Sequence, residues 1–125
     1  MGRVANQGAA GIVLENQALP RASLSYSQMQ GINLKGIDLA QGRLMGADLS
    51  DANLSGANLV EVNFAIADLS RANLSQANLS QANFQSADLT SAQLTGANLR
   101  KANFSQADLT DVNLTGADLA EAPQS

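Results

Sequence analysis

The chain has 125 residues, with seven Lys and Arg against eleven Asp and Glu, a formal net charge of −4, and neither Cys nor His. The missing Cys and His exclude disulfides, thiolate chemistry, imidazole catalysis and the usual zinc sites, and we expect no cofactor. The acidic balance argues against direct nucleic-acid binding, and no signal peptide or apolar run of roughly 20 residues is present, so we expect a cytoplasmic protein without membrane insertion.

Residues 1–11 carry no periodic pattern, and we expect them to form a flexible or irregular lead. A five-residue register begins at Ile12: every fifth residue from Leu14 to Leu119 is Leu, Met or Phe. A helix turns about 100° per residue, so residues five apart scatter around its axis, whereas a straight strand sends them to opposite faces. A chain that bends at each unit keeps all of them inward, which predicts a coil with short sides and corners.

Residues 12–46 are expected to be the less regular part of this coil. Two places before the central residue, where later units have Ala, they carry Gln17, Ser27, Ile32, Ile37 and Gly42. Pro20 agrees with the register because it directly follows the central Leu19, where a turn accepts Pro at its first middle position.

Residues 47–119 are the regular part and show a second period of 20 residues. The centres Phe64, Phe84 and Phe104 are 20 residues apart, and Asp occupies the preceding place at the same interval. Two independent residue types share this spacing, which predicts four units per coil and an internal stack of the three rings about 4.8 Å apart. The Asp residues of this column are Asp48, Asp68, Asp88 and Asp108.

The units of this part read Ala-(Asn/Asp)-(Leu/Phe)-x-x, as in ADLSRANLSQANLSQANFQS from Ala67. This tandem pattern resembles the pentapeptide-repeat family, and the resemblance suggests a cyanobacterial or other bacterial member. The resemblance implies an all-β, right-handed quadrilateral β-helix of about five coils over residues 12–122, followed by a tail at 123–125. It places in the core Phe64, Phe84, Phe104, Leu49, Leu69, Leu89 and Leu109.

Glycine recurs at the second place after the centre, and four of these residues share one 20-residue column. A type II turn needs positive φ at this place, which Gly adopts without steric cost. We predict type II turns at this corner and different turns at some others. The four are Gly36, Gly56, Gly96 and Gly116.

The Asp column has two interpretations. Asp and Asn at this place can accept hydrogen bonds from backbone N–H groups of the adjacent turn, which is a structural role. The column could instead form an acidic recognition face for a partner, while a Ca²⁺ site is the poorest interpretation because that ion wants six to eight oxygen ligands. Elsewhere opposite charges alternate, and we expect Asp51 to neighbour Arg71 and Lys101 to neighbour Glu121.

No nucleophile has a base beside it, and a filled solenoid leaves no cleft, so we expect no enzyme. The favoured function is a scaffold presenting flat faces to an unknown protein partner, as a monomer or as a dimer through the uncapped C-terminal coil. The resemblance raises DNA mimicry toward DNA gyrase or topoisomerase as the alternative, although a rod of about 25 Å needs on the order of fifteen negative charges for this. Ice binding by the Ser and Thr columns is a remote alternative.

Overall fold

The computed structural model describes residues 11–123. The predicted lead lies outside the described residues except for Gly11, and so does the predicted tail except for Pro123. Within residues 11–123 there is no helix or extended strand; each unit contributes one bridge residue between two turns. None of the described residues forms a helix that is long and apolar enough to cross a membrane.

The chain is a right-handed quadrilateral β-helix with four five-residue units per coil. All β-bridges are parallel and join residues 20 apart, from Val13↔Asn33 to Asn98↔Asp118. The predicted cross-section is therefore confirmed. We number the faces in chain order by their bridge residues. Face 1 carries 13, 33, 53, 73, 93 and 113; face 2 carries 18, 38, 58, 78, 98 and 118; face 3 carries 23, 43, 63, 83 and 103; face 4 carries 28, 48, 68, 88 and 108.

In the interior coils, a unit with Asn or Asp before its central residue satisfies all five of its backbone N–H groups. Two N–H groups donate to the next coil, one donates to the previous coil, and one closes the turn behind it. The fifth, at the first corner place after the centre, donates to the Asn or Asp side chain of its own unit. In unit 72–76 the bonds are Leu74 N to Gln93 O and Gln76 N to Thr95 O, Asn73 N to Ala52 O, Ala72 N to Leu69 O, and Ser75 N to Asn73 Oδ1.

Pro20 lies at the first corner place, whose N–H takes no part in bonding between coils or in closing the turn. The residue before the central Leu19 is Ala18, so this unit also lacks the side-chain oxygen that would accept an N–H from residue 20. A residue without a donor therefore coincides with a unit without the acceptor. The register that admitted Pro20 has a hydrogen-bonding basis.

Every corner of the described chain has the same turn. The second corner residue has φ between 53° and 73° in all units from Asn16 to Glu121, whether or not it is Gly. The turns are closed by bonds such as Ala47 N to Leu44 O at 3.1 Å, which is the type II pattern. The expectation that some corners would differ is wrong, because hydrogen bonding between coils holds Gln, Lys, Arg and even Ile66 in the left-handed region.

The unusual inward side chains of residues 12–46 do not interrupt this backbone pattern. Bridges begin at Val13, and left-handed corner residues begin at Asn16. Ile32 and Ile37 are fully buried at places where later units carry Ala. The irregularity therefore lies in side-chain volume, and the backbone of residues 12–46 follows that of the later coils.

The interior is filled by the central residues and the small residues two places before them. Phe64 and Phe84 are fully buried, and Phe104 is nearly so. Their rings form a column with centroids 5.4 and 5.0 Å apart and planes inclined by 12° and 1°. Leu49, Leu69 and Leu89 are also fully buried.

Leu109 departs from its prediction as a core residue. Its exposed fraction is 36%, and that of Leu119 is 42%. Both belong to the last described coil, over which no further described coil packs. Leu109 and Leu119 lack a covering coil among the described residues, which leaves these two side chains exposed.

Candidate functional site

Face 4 carries the predicted acidic column. Asp48, Asp68, Asp88 and Asp108 form successive parallel bridges, so one carboxylate stands directly above another along the whole face. The first three are half-buried and Asp108 is exposed. The structure thus brings all four predicted residues into one column.

Each carboxylate of the column is bound to its own turn. Oδ1 accepts the backbone N–H two residues later at 2.9–3.1 Å, and it also accepts the hydroxyl of that residue at 2.6–2.8 Å. Asn residues at the same place of other units accept the same backbone bond, as Asn73 does from Ser75. These bonds occupy one oxygen of each carboxylate and leave Oδ2 for other contacts.

The second oxygen differs along the column. Oδ2 of Asp48 accepts a hydrogen bond from Gln30 Nε2 at 2.7 Å. The Thr110 hydroxyl and then its backbone N–H lower the pKa of Asp108 below its ordinary value. No ion pair among residues 11–123 includes a member of the column, so its charge is not neutralised by direct contact within the described chain.

Ion pairs among residues 11–123 involve only Asp51, Arg71, Arg100, Asp118 and Glu121. Arg71 holds Asp51 of the previous coil by two bonds of 3.0 Å, as predicted. The hydrogen bond from Arg71 lowers the pKa of Asp51, and the bond to Asp51 raises the pKa of Arg71.

Glu121 pairs differently from its prediction. Its Oε1 lies 3.5 Å from Arg100 Nη2, and Arg100 Nη1 also contacts Asp118 at 3.3 Å. Lys101 occupies the same column as Glu121 but forms no ion pair among the described residues. The long side chain of Arg100 places its guanidinium against both Asp118 and Glu121. The position of Glu121 in the same column as Lys101 did not predict this pairing.

Six of the eight hydroxyls in the two columns beside face 1 donate to the Asn or Asp of their own unit; the columns are Ser50, Ser70, Thr90, Thr110 and Ser55, Ser75, Thr95, Thr115. Thr110 Oγ1 donates to Asp108 Oδ1 at 2.6 Å, and Thr115 Oγ1 donates to Asn113 Oδ1 at 2.7 Å. Hydroxyls committed to these bonds have one donor fewer for ordering water. This arrangement disfavours ice binding.

The described residues offer little for a small ligand or an ion. Within residues 11–123 no group of three or more acidic side chains is placed to hold a metal. A surface hollow of about 310 Å³ lies at the corner after face 2, where both charge signs line it. The lining residues are Ser80, Gln81, Asn98, Arg100, Lys101 and Glu121.

Exposed apolar side chains at the corner after face 3 were not predicted as a site. Tyr26 is 66% exposed and Ile66 is 51% exposed, and both occupy the second corner place. The other large apolar side chains exposed among residues 11–123 are Val13 in the first described coil, which also contains Tyr26, and Leu109 and Leu119 in the last. The available signal was an Ile at a place where the other units carry Gly or a polar residue, apart from Tyr26.

Comparisons with known proteins place this architecture in context. The model of the family described as pentapeptide repeats (8 copies) matches residues 27–65, 67–106 and 87–122. A pentapeptide repeat protein, Rfr23, from the cyanobacterium Cyanothece 51142 is 30% identical, with a TM-score of 0.75 and coverage of 92% of this chain and 89% of that chain. No curated protein sequence matches the chain.

Two further solved structures are similar over most of this chain. A pentapeptide repeat protein from the thylakoid lumen of Arabidopsis thaliana is 29% identical, with a TM-score of 0.58 and coverage of 97% of this chain and 79% of that chain. QnrB1, a plasmid-mediated fluoroquinolone resistance protein, is 23% identical, with a TM-score of 0.71 and coverage of 90% of this chain and 62% of that chain. The likeness to QnrB1 concerns the fold alone.

Proposed function

The chain belongs to the pentapeptide repeat family, and from this premise we infer that it is a non-enzymatic scaffold whose outward side chains bind a protein partner. The observation that carries the inference is that the groups repeated in every unit serve the fold itself. Backbone N–H groups are bonded within the unit or between coils, and Leu, Phe and Ala fill the interior. The groups that vary from unit to unit are the outward side chains, and recognition belongs to them.

The geometry favours a macromolecular partner over a small substrate. Each face holds five or six stacked bridge residues, which at about 4.8 Å per coil gives a rigid surface about 25 Å long. Side chains on such a surface lose little backbone freedom on binding, which lowers the entropic cost of association. A surface of this length fits the dimensions of ordinary protein interfaces.

A four-corner crosslinking experiment tests the proposal. Gln76, Gln81, Ser86 and Ser91 are exposed second-corner residues of consecutive units, one at each corner. Replacing each in turn by the photo-crosslinker benzoylphenylalanine, in cells of the source organism, samples all four sides at one height. We expect one abundant protein adduct, confined to one corner or to two adjacent corners.

The four variants are controls for one another because their backbone and exposure match. Adducts of equal, low yield at every corner indicate random collisions and contradict a scaffold function. The absence of any protein adduct contradicts it as well. Identification of the adduct by mass spectrometry then names the partner.

DNA mimicry remains the alternative, and the described surface gives it little support. The net charge of −4 compares with the roughly fifteen that a rod of about 25 Å needs. Asp51, Asp118 and Glu121 are paired with arginines, which reduces the exposed negative charge further. Inhibition of DNA gyrase supercoiling by micromolar protein would establish the alternative, and unchanged supercoiling would remove it.

We also propose a cytoplasmic location and a monomer or a dimer through the last coil. Exposure of Leu109 and Leu119 at that coil supports an association there. Sedimentation equilibrium with Leu119→Ser as the variant and Gln81→Ser as the surface control reports the association. A dimer that persists in Leu119→Ser contradicts this interface.

A further inference from the structure

We propose that the corner after face 3 binds a protein segment that carries a large apolar side chain next to Lys or Arg. The corner patch consists of Tyr26, Met45, Gly46, Ala65 and Ile66. This binding role rests on the scaffold function proposed above. It assigns that function to one corner of the solenoid and to a partner of stated chemistry.

The corner patch is contiguous through direct backbone bonding. Tyr26 N donates to Met45 O at 2.8 Å, and Gly46 N donates to Ala65 O at 2.9 Å. The Tyr26 ring lies against Gly46, where a Cβ would otherwise stand. Tyr26, the Gly46 that its ring covers, and Ile66 thus follow one another over three coils. Tyr is among the residues that contribute most at protein interfaces.

Ile66 is placed against the preference of the backbone. Its φ is 53°, and for a β-branched residue positive φ is a genuine outlier. The side chain is also half-exposed, so it gains little from burial in this fold. Folding thus favours Gly at this position, as at Gly46 one coil earlier. A strained and exposed apolar side chain is expected where an interaction outside the fold retains it.

Asp48 and Asp68 supply charge beside the corner patch. Each lies two residues after a second corner residue of the patch, Gly46 and Ile66. Oδ1 of each is used by its own turn, and Oδ2 of Asp48 also accepts a hydrogen bond from Gln30 Nε2, but neither carboxylate forms an ion pair within residues 11–123. A Lys or Arg on the partner complements these carboxylates, and the apolar side chain next to it reaches Ile66. On the face 4 side, acidic partner segments are disfavoured by the same charges, whereas exposed Arg43 lies on the face 3 side of the corner.

A random library of 12-residue peptides displayed on phage is the probe. Selection against the 125-residue protein, after depletion on Ile66→Gly, should enrich peptides with one or two large apolar residues flanked by Lys or Arg. Ile66→Gly should weaken synthetic versions of these peptides at least tenfold while raising the thermal midpoint, so loss of binding cannot be attributed to unfolding. Gln106→Gly, at the same corner two coils further on, should bind as the wild type does.

The charge contribution is tested by Asp48→Asn with Asp68→Asn. Asn keeps the acceptor for the turn, as Asn73 does, so this variant changes charge with little change in structure. Binding should fall severalfold, and its weakening by added NaCl should largely disappear. Failure to enrich peptides, binding to Ile66→Gly within twofold of wild type, or a consensus without basic residues overturns the proposal. A crosslinked partner at another corner would leave the scaffold function intact, which separates the two failures.

Discussion

At the scale of single residues, two places of the unit select side chains for different reasons. The residue before the central one needs a side-chain oxygen that accepts a hydrogen bond, whereas the second corner residue needs a backbone that adopts positive φ. Asn73 illustrates the first: its side-chain oxygen accepts the one N–H of its unit that points neither to another coil nor to the turn behind. Asp serves the same purpose at face 4, so its negative charge is not needed for the turn. The second corner place demands a left-handed φ, which few side chains favour.

Ile66→Gly should stabilise the protein, because it removes a β-branched residue from the left-handed region. We expect a gain of about 1 kcal/mol in the free energy of unfolding, measured by urea denaturation. Ser86→Gly is the matched control at the same corner, with φ of 58°, and should gain less because Ser is not β-branched. Equal gains would show that the backbone tolerates Ile66 without strain.

The carboxyl of Asp108 should titrate below its ordinary pKa, because the Thr110 hydroxyl and N–H donate to it. The pKa is lower in the folded chain, so the group contributes stability above the unfolded pKa of about 3.9, and this is lost as pH falls through the folded value. Thr110→Val should raise the pKa measured by NMR. Thr115→Val is the control, since that hydroxyl donates to neutral Asn113. An unchanged pKa in Thr110→Val contradicts the assigned cause.

At the scale of the coil, the cross-section was predictable and the surface was less so. Phe64 and Phe84 identify the number of sides, because a ring stack requires equal phase in successive coils. Uniform corners were not predicted, since residue preference favours Gly locally whereas the bonds between coils act on every corner alike. The pairing of Glu121 depends on the reach of Arg100, which column position does not reveal. The site at Ile66 required its exposure and φ, beyond its residue type.

Leu79→Lys should be far more damaging than Gln81→Lys. Leu79 is fully buried at a centre of face 2, so Lys there places a charge among Leu and Ala without a partner. We expect a loss of about 4 kcal/mol or more, measured by urea denaturation. Gln81 is exposed two residues later, and its replacement should stay within about 0.5 kcal/mol. Similar midpoints for the two variants would contradict the assignment of inward and outward places.

At the scale of the whole molecule, each coil contacts only its neighbours, and stability is a sum of coil interfaces. The terminal coils differ from the interior for this reason: Leu89 is fully buried, whereas Leu109 at the same place of the last described coil is exposed. The alignment of successive coils is a second property of the whole molecule. Equivalent side chains stack only if residues 20 apart lie on the same face. Five-residue periodicity alone does not maintain this alignment.

Two internal deletions separate the five-residue from the 20-residue period. Removing residues 67–86 takes out one complete coil and should leave a folded solenoid in which the Phe64 ring contacts the Phe104 ring. Removing residues 72–76 takes out one unit and should bring Leu89 opposite Phe64 instead. Nuclear Overhauser effects from the Phe64 ring distinguish these outcomes, with the stack of Phe64 on Phe84 in the intact chain as reference.

The unfolding parameters of the deletions provide an independent check. The urea m-value should fall by about a fifth when one of about five coils is removed, because m scales with the surface exposed on unfolding. Removal of residues 72–76 should change m far less, yet it creates one coil interface in which Phe faces Leu and packing is mismatched. Contact between Phe64 and Phe104 in the shorter deletion, or its absence in the longer one, contradicts four units per coil.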